Sequence, residues 1–134
     1  MSVFWNRHRL FSQGLLFYAD KIYLSIVTAG TKSRVKKSLP SKFLNKFDHI
    51  VTGDDYLKGK PHPDPYLKAL KKSKLKSSNC IVYENAPLGI ISAKKANIKT
   101  VAVTNTLKKN YFLEANYIVN SANDLKKIIT NFNI

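Results

Sequence analysis

The sequence predicts an α/β protein of the Rossmann-like kind, a three-layer α/β/α arrangement with a mostly parallel sheet between helices. Three observations carry this expectation. From residue 22 onward, short β-rich runs alternate with stretches of helical periodicity, the pattern of βαβ units. One of these runs, residues 79–83, is almost wholly apolar, as expected of a central strand covered on both faces. Finally, Thr28, Lys60 and Glu84 fall just past strand-like runs or ahead of helix starts. Groups that leave the carboxyl ends of neighbouring strands in such a sheet converge on one crevice, where ligands bind.

The elements follow in order. Residues 22–27 read as the first clear strand, ending at Thr28-Ala29-Gly30-Thr31. Thr31 or Ser33 caps the helix after it, Val35 and Leu39 supply its apolar face, and Pro40 closes it. Phe43, Leu44 and Phe47 form a short apolar turn, before a brief strand over 49–52 and the turn Gly53-Asp54-Asp55. Prolines at 61, 63 and 65 exclude a helix until Asp64 caps it and Pro65 takes its first position. That helix runs to about Lys74 with Tyr66, Leu67 and Leu70 inward. After the strand at 79–83 come a helix over 87–96 with Leu88, Ile91 and Ala96 toward the sheet, a strand Lys99–Val103, and a loop Thr104-Asn105-Thr106. A short strand Tyr117–Val119 precedes a closing helix capped by Ser121 or Asn123, with Leu125, Ile128, Ile129 and Phe132 at helical spacing. The first twenty residues are the least regular, because Asn6-Arg7-His8-Arg9 interrupts the apolar groups Val3-Phe4-Trp5 and 10–18.

Composition narrows the function classes. The chain has 134 residues, 44% of them hydrophobic and 11% aromatic, enough for one domain with a real core. No apolar run approaches the roughly 20 residues of a membrane-spanning helix, and Arg7 and Arg9 lack the cleavage pattern of a secretory leader, so a cytoplasmic protein with no membrane association is expected. The net charge of +15 would fit a polyanion partner. Yet the excess is mostly lysine, with arginine only at 7, 34 and 9, and it is spread over most helices, whereas phosphate-forking surfaces favour arginine. Even the densest cluster, Lys71, Lys72, Lys74 and Lys76, reads as a solvated helix end. Nucleic-acid binding without catalysis is therefore the rival expectation, not the leading one. The single Cys80 cannot form an internal disulfide and reads as a buried strand residue. His8, His49 and His62 lack zinc-ligand spacing, and Asp54 and Asp55 read as turn and cap residues.

Phosphoryl transfer is achieved mainly by positioning and charge neutralisation, and three of its usual parts have candidates. Thr28, with the amides of Ala29 and Gly30, can hold phosphoryl oxygens at a strand-to-helix turn. Lys60 can stabilise charge on the transferring group. Glu84 can hold Mg²⁺, which commonly binds through one or two carboxylates, with Asn85 adding a neutral oxygen.

In this order and on these element ends, the chain resembles the haloacid dehalogenase superfamily, in its β-phosphoglucomutase-like and phosphoglycolate-phosphatase-like branch. The resemblance rests on Ile26-Val27-Thr28-Ala29-Gly30-Thr31 as the second motif and Gly59-Lys60-Pro61-His62-Pro63-Asp64-Pro65-Tyr66 as the third. Tyr83-Glu84-Asn85-Ala86-Pro87-Leu88-Gly89-Ile90 stands as the fourth. It implies a Mg²⁺-dependent hydrolase, a phosphatase or phosphomutase, acting on a small phosphorylated metabolite. Thr28, Ala29 and Gly30 would bind phosphate, Lys60 would be the catalytic cation, and Glu84 with Asn85 would serve the metal. Many relatives carry Asp where Asn85 stands.

One part is missing. The family opens with an Asp-x-Asp-Gly motif that supplies the nucleophile and then inserts a cap, and neither occurs before Thr28. The expectation is therefore an incomplete core, truncated or split, inactive alone and with weak or absent Mg²⁺ binding. Residues 1–20 would be a poorly defined segment left from a cap or helix, and 21–134 the C-terminal part of the core. The missing strand would lie between the strands ending at Thr28 and Glu84, leaving two inward edges and marginal stability. Val3-Phe4-Trp5 could fill the slot, the two edges could pair directly, or a second chain could supply a strand.

Overall fold

The computed structural model describes residues 2–12, 15–104, 107–121 and 124, with the side chains of 2–12 and 15–22 left aside. Six strands form one sheet in the order β3-β2-β1-β4-β5-β6. They are β1 (Ser2–Ser12), β2 (Leu15–Val27), β3 (His49–Val51), β4 (Ile81–Glu84), β5 (Lys99–Val103) and β6 (Tyr117–Val119). Helices α1 (Lys32–Ser38), α2 (Ser41–Leu44), α3 (Asp64–Ser73) and α4 (Pro87–Lys95) connect them. All strands but β1 run parallel, and the whole is a Rossmann-like α/β fold.

The slot between β2 and β4 is filled by the first of the three expected routes. Val3, Phe4 and Trp5 pair on one side with Ile26, Ser25 and Leu24, and on the other with Tyr83, Val82 and Ile81. Both inward edges are thereby hydrogen-bonded, which removes the two unpaired rows of backbone groups that an empty slot would leave. The inserted strand runs antiparallel to both neighbours, because it reaches the slot as the first arm of a hairpin whose second arm is β2. A strand in that direction brings its first residues, not its last, to the rim where Thr28 and Glu84 lie. Within the segment expected to be poorly defined lie β1 and the start of β2, which begins at Leu15, well before residue 22.

Helices α3 and α4 cover one face. Their buried residues Tyr66, Ala69, Ala93 and Ala96 pack with Val27, Val51, Cys80, Val82 and Ile98. The opposite face carries Ile81, Val101, Val103 and Val119. Period-two alternation in β4 therefore sends Val82 and Glu84 toward the helices and Ile81 and Tyr83 the other way. Burying each large aliphatic side chain contributes about 1.5–3 kcal/mol, so this two-sided core is the main source of cohesion.

Two inward assignments are corrected. Leu67 and Leu88 are exposed, while Ala69 and Ile90 are buried. The buried face of α4 is built from Gly89, Ser92 and Ala93 with Ile90, mostly small residues that let the helix backbone lie close to the sheet, and Ala96 just past its end is buried too. Ile91 is partly buried. Thr31 caps α1 as expected, accepting from the Arg34 amide at 3.3 Å. Asp64 is the first residue of α3 and not its cap, which is Pro63. The closing helix anticipated after Ser121 lies outside the described residues, apart from Asp124.

Candidate functional site

The parallel run of β2 and β4 sets Thr28 and Glu84 on one rim. Val3 pairs with both Ile26 and Tyr83, so Val27 and Glu84 stand level across one intervening strand. That is two strand spacings, about 10 Å. Thr28 is the next residue beyond Val27.

Thr28 is tied down at three points. Its amide donates to Val51 O at 2.9 Å, its carbonyl accepts from the Tyr56 hydroxyl at 3.0 Å, and its Oγ1 accepts from the Gly30 amide at 3.1 Å. The expectation that both loop amides face an anion is corrected here, since the Gly30 N–H is turned onto Thr28. The Thr28 hydroxyl hydrogen and the Ala29 amide are the donors left at this turn. The loop is braced from the turn after β3: Gly53 N donates to Gly30 O at 2.9 Å and the Lys32 amide donates to Asp54 Oδ2 at 2.8 Å. Gly53 is needed for its lack of a side chain, because a Cβ there would lie 2.6 Å from Ala29 O. Thr52 and Asp55 form a reciprocal capping box beneath this turn, and Lys72 ties it to α3 by bonds of 3.1 Å to Asp55 Oδ1 and Ile50 O. Asp54 and Asp55 are therefore turn and cap residues, as read, and they also fix the Thr28 loop. The Thr52 backbone amide first, then Lys72, holds the Asp55 carboxyl below its ordinary pKa against the opposing effect of burial.

Glu84 is 1% exposed, and both of its carboxylate oxygens are engaged. Oε2 accepts from Lys60 Nζ at 2.6 Å and from the Tyr66 hydroxyl at 3.1 Å, and Oε1 from the amides of Asn85 at 2.9 Å and Ala86 at 3.1 Å. The Lys60 ammonium also sits 5.4 Å from the Tyr66 ring centroid, a cation–π contact. A buried charge must be paired and fully hydrogen-bonded to be tolerated, and this carboxylate is both. Lys60 and Glu84, 24 residues apart, are thus brought together, and Tyr66 joins them as a partner that sequence reasoning had placed only in the core. Its spacing of six residues from Lys60, across a proline-rich lead-in, was the available signal.

Mg²⁺ fits this arrangement poorly. The cation takes carboxylate and water oxygens in a strict octahedron. Here the single carboxylate spends its four lone-pair positions on four donors. Asn85 is neutral, and among the described residues no group of three His, Cys, Asp or Glu side chains could hold a metal. Of the other candidates, Cys80 is buried with its thiol pushed up to about 12 by desolvation, an inert thiol, and donates to Lys76 O at 3.1 Å. His62 is exposed, and its carbonyl accepts from Ser92 Oγ.

A Rossmann-like α/β sheet thus carries the Thr28 turn and a buried lysine–glutamate pair on one rim. The profile of the haloacid dehalogenase-like hydrolase family matches residues 16–103, and the chain belongs to that family. Among curated relatives, it is 31% identical to a validoxylamine A 7'-phosphate phosphatase of Streptomyces hygroscopicus subsp. limoneus, over 79% of this chain and 50% of that one. It is 35% identical to pyrophosphatase PpaX of Bacillus mycoides, over 82% and 53%. Among solved structures, β-phosphoglucomutase from Clostridium difficile superposes with a TM-score of 0.60 at 33% identity, over 65% of this chain and 38% of that one. A haloacid dehalogenase phosphatase from Thermococcus onnurineus superposes at 0.72 over 82% and 51%, and at 22% identity it speaks for the fold alone. The chain spans about half the length of the curated relatives it matches.

Proposed function

We propose that the rim is the phosphoryl-binding half of a haloacid-dehalogenase-type phosphatase or phosphomutase site, suited to a small phosphorylated metabolite in the cytoplasm. Thr28 and the Ala29 amide would take phosphoryl oxygens, and the Lys60 ammonium would face the developing charge. Glu84 would hold Lys60 and, through the amides of Asn85 and Ala86, the start of α4 in place. The observation that carries this reading is the buried Lys60–Glu84 pair on the rim that also bears Thr28. In the reading, residues 21–134 are the C-terminal part of the family core and 1–20 serve as the arm that closes it.

The same reading makes this chain inactive by itself. Phosphate-ester hydrolysis requires up to roughly 10²¹-fold acceleration, and binding groups without a positioned nucleophile supply little of it. At the rim between Thr28 and Glu84 stands the start of the antiparallel β1, with Ser2 opposite Val27, where a parallel strand would end in a carboxylate. Because β1 fills the slot, a chain that completes its own sheet is favoured over one that waits for a second polypeptide.

Calorimetric titration with orthophosphate at low salt tests the reading. Binding should weaken roughly tenfold or more in Lys60→Ala and in Thr28→Val, by analogy with loss of one charge-assisted donor. No cleavage of p-nitrophenyl phosphate above background is expected. Equal binding by all three proteins, or turnover by the unmodified chain, would contradict it. The nucleic-acid alternative predicts duplex or single-stranded binding that survives about 200 mM salt.

A further inference from the structure

We infer that Glu84 is the hub of a closed, charge-neutral knot and not a cation ligand, so that the Thr28–Lys60 rim takes its anion without a divalent metal. The anion half of this inference rests on the proposed function; the Glu84 half does not.

Three features of the chain converge on it. First, the carboxylate accepts four hydrogen bonds, two from main-chain amides that open α4 and two from side chains on the Lys60 loop and α3. An incoming cation would have to evict the Lys60 ammonium or the Tyr66 hydroxyl, and an evicted ammonium would stay beside it as a like charge in a poorly hydrated place. Second, the carboxylate cannot swing away to make room. The backbone of α4 lies against it so closely that a Cβ on Gly89 would sit 2.0 Å from Oε2 and 2.3 Å from Cδ. Third, the neighbouring side chain is the neutral amide of Asn85, and the described residues provide no group of three His, Cys, Asp or Glu side chains to hold the ion. Mg²⁺ affinity depends on ligand charge, and one committed carboxylate gives too little. The pair of Lys60 and Glu84 sums to zero charge, so the attraction for an anion comes from the donors at Thr28 and Ala29, the directional ammonium and the net +15 of the chain.

The test uses the full chain with two probes. Mn²⁺ stands in for Mg²⁺ and is followed by electron paramagnetic resonance and by paramagnetic broadening of amide signals. Orthophosphate is titrated calorimetrically, once with a chelator and once with excess Mg²⁺. The expected results are no saturable Mn²⁺ site up to about 1 mM, the weak end of protein cation sites, and phosphate affinities equal within about twofold in the two buffers. An Asn85→Asp chain, which adds a carboxylate beside the knot and keeps the main-chain amide that donates to Glu84, should take Mn²⁺ at least roughly tenfold more tightly. One Mn²⁺ per unmodified chain, with broadening centred on Asn85 and Ala86, would overturn the assignment of Glu84. Phosphate binding that appears only with Mg²⁺ would overturn the metal-free rim. Absence of phosphate binding in both buffers, with no Mn²⁺ bound, would overturn the proposed function while supporting the closed knot.

Discussion

Gly89→Ala puts the packing of the knot to a severe trial with one methyl group. Exchanging a helical glycine for alanine ordinarily stabilises a protein by about 0.5–1 kcal/mol, since the unfolded chain loses freedom. Here the added Cβ would fall 2.0 Å from Glu84 Oε2, 2.3 Å from Cδ and 2.5 Å from Cγ, so the whole carboxylate must move. A side chain at the surface would swing aside at little cost. Glu84 is fully buried and held by four donors, and displacing it separates a buried ion pair, which costs about 3–5 kcal/mol. The net loss is about 2–4 kcal/mol, and a domain of this size loses several degrees per kcal/mol, so the melting temperature should fall by roughly 10 °C. Urea denaturation should show a lower midpoint with an unchanged slope, the sign of lost stability without a change in compactness. A variant as stable as the parent, or more so, would refute the close approach of α4 to the carboxylate and the rigidity of the knot.

Other outcomes follow from local geometry and titration. Lys74 ends α3 in the left-handed region at φ 57°, so Lys74→Gly should raise stability by about 0.5–1 kcal/mol in the same denaturation assay. Asp55 has a folded-state pKa below its unfolded value of about 3.9, so its contribution is present above that value and disappears as pH falls through the folded one. Asp55→Asn should cost about 1 kcal/mol at neutral pH and flatten the decline of stability below about pH 4, measured by melts across an acid series. Cys80 has the opposite sign: its folded pKa of about 12 lies above the unfolded value, so its contribution is complete below about pH 8.5 and fades as pH rises toward about 12. Cys80→Ala should reduce that alkaline loss, and a thiol reagent should label the native chain only as fast as it unfolds.

Much of the fold was legible because its signals are local. Lys99–Val103 and Tyr117–Val119 have the predicted limits, since short apolar runs between turn residues leave little freedom for another assignment. The start of α4 at Pro87 was equally clear from proline at a first helical position, while for α1 the sequence left Thr31 and Ser33 open and the cap is Thr31. The inner face of α4 was misread because glycine and alanine carry a weak hydrophobic signal, whereas Leu88 carries a strong one and faces outward. Proximity to the sheet is decided by size, which hydrophobic periodicity does not encode. The position of β1 was only one of three possibilities for a related reason. No feature within Val3-Phe4-Trp5 specifies a slot between two strands whose sequences lie about 20 and 80 residues away, or the direction in which it is entered.

The candidate residues were found by motif, but their mutual engagement was not. Lys60 and Glu84 each looked like a ligand-facing group, and the sequence gives no sign that the two satisfy each other first. Gly30 similarly offered an amide that the structure commits to Thr28 Oγ1. In both cases the missing information is a hydrogen-bond partner within the chain, which removes donors and acceptors that a reading by residue type counts as available.

The most direct measurement is an orthophosphate titration of isotope-labelled protein followed amide by amide in solution. Saturable shifts confined to Thr28, Ala29, Lys60 and their neighbours, absent in Lys60→Ala, are the predicted result. Shifts centred on Lys71, Lys72, Lys74 and Lys76, with Thr28 and Lys60 unmoved, would show that the chain attracts phosphate by general charge and that the rim between β2 and β4 is not a site.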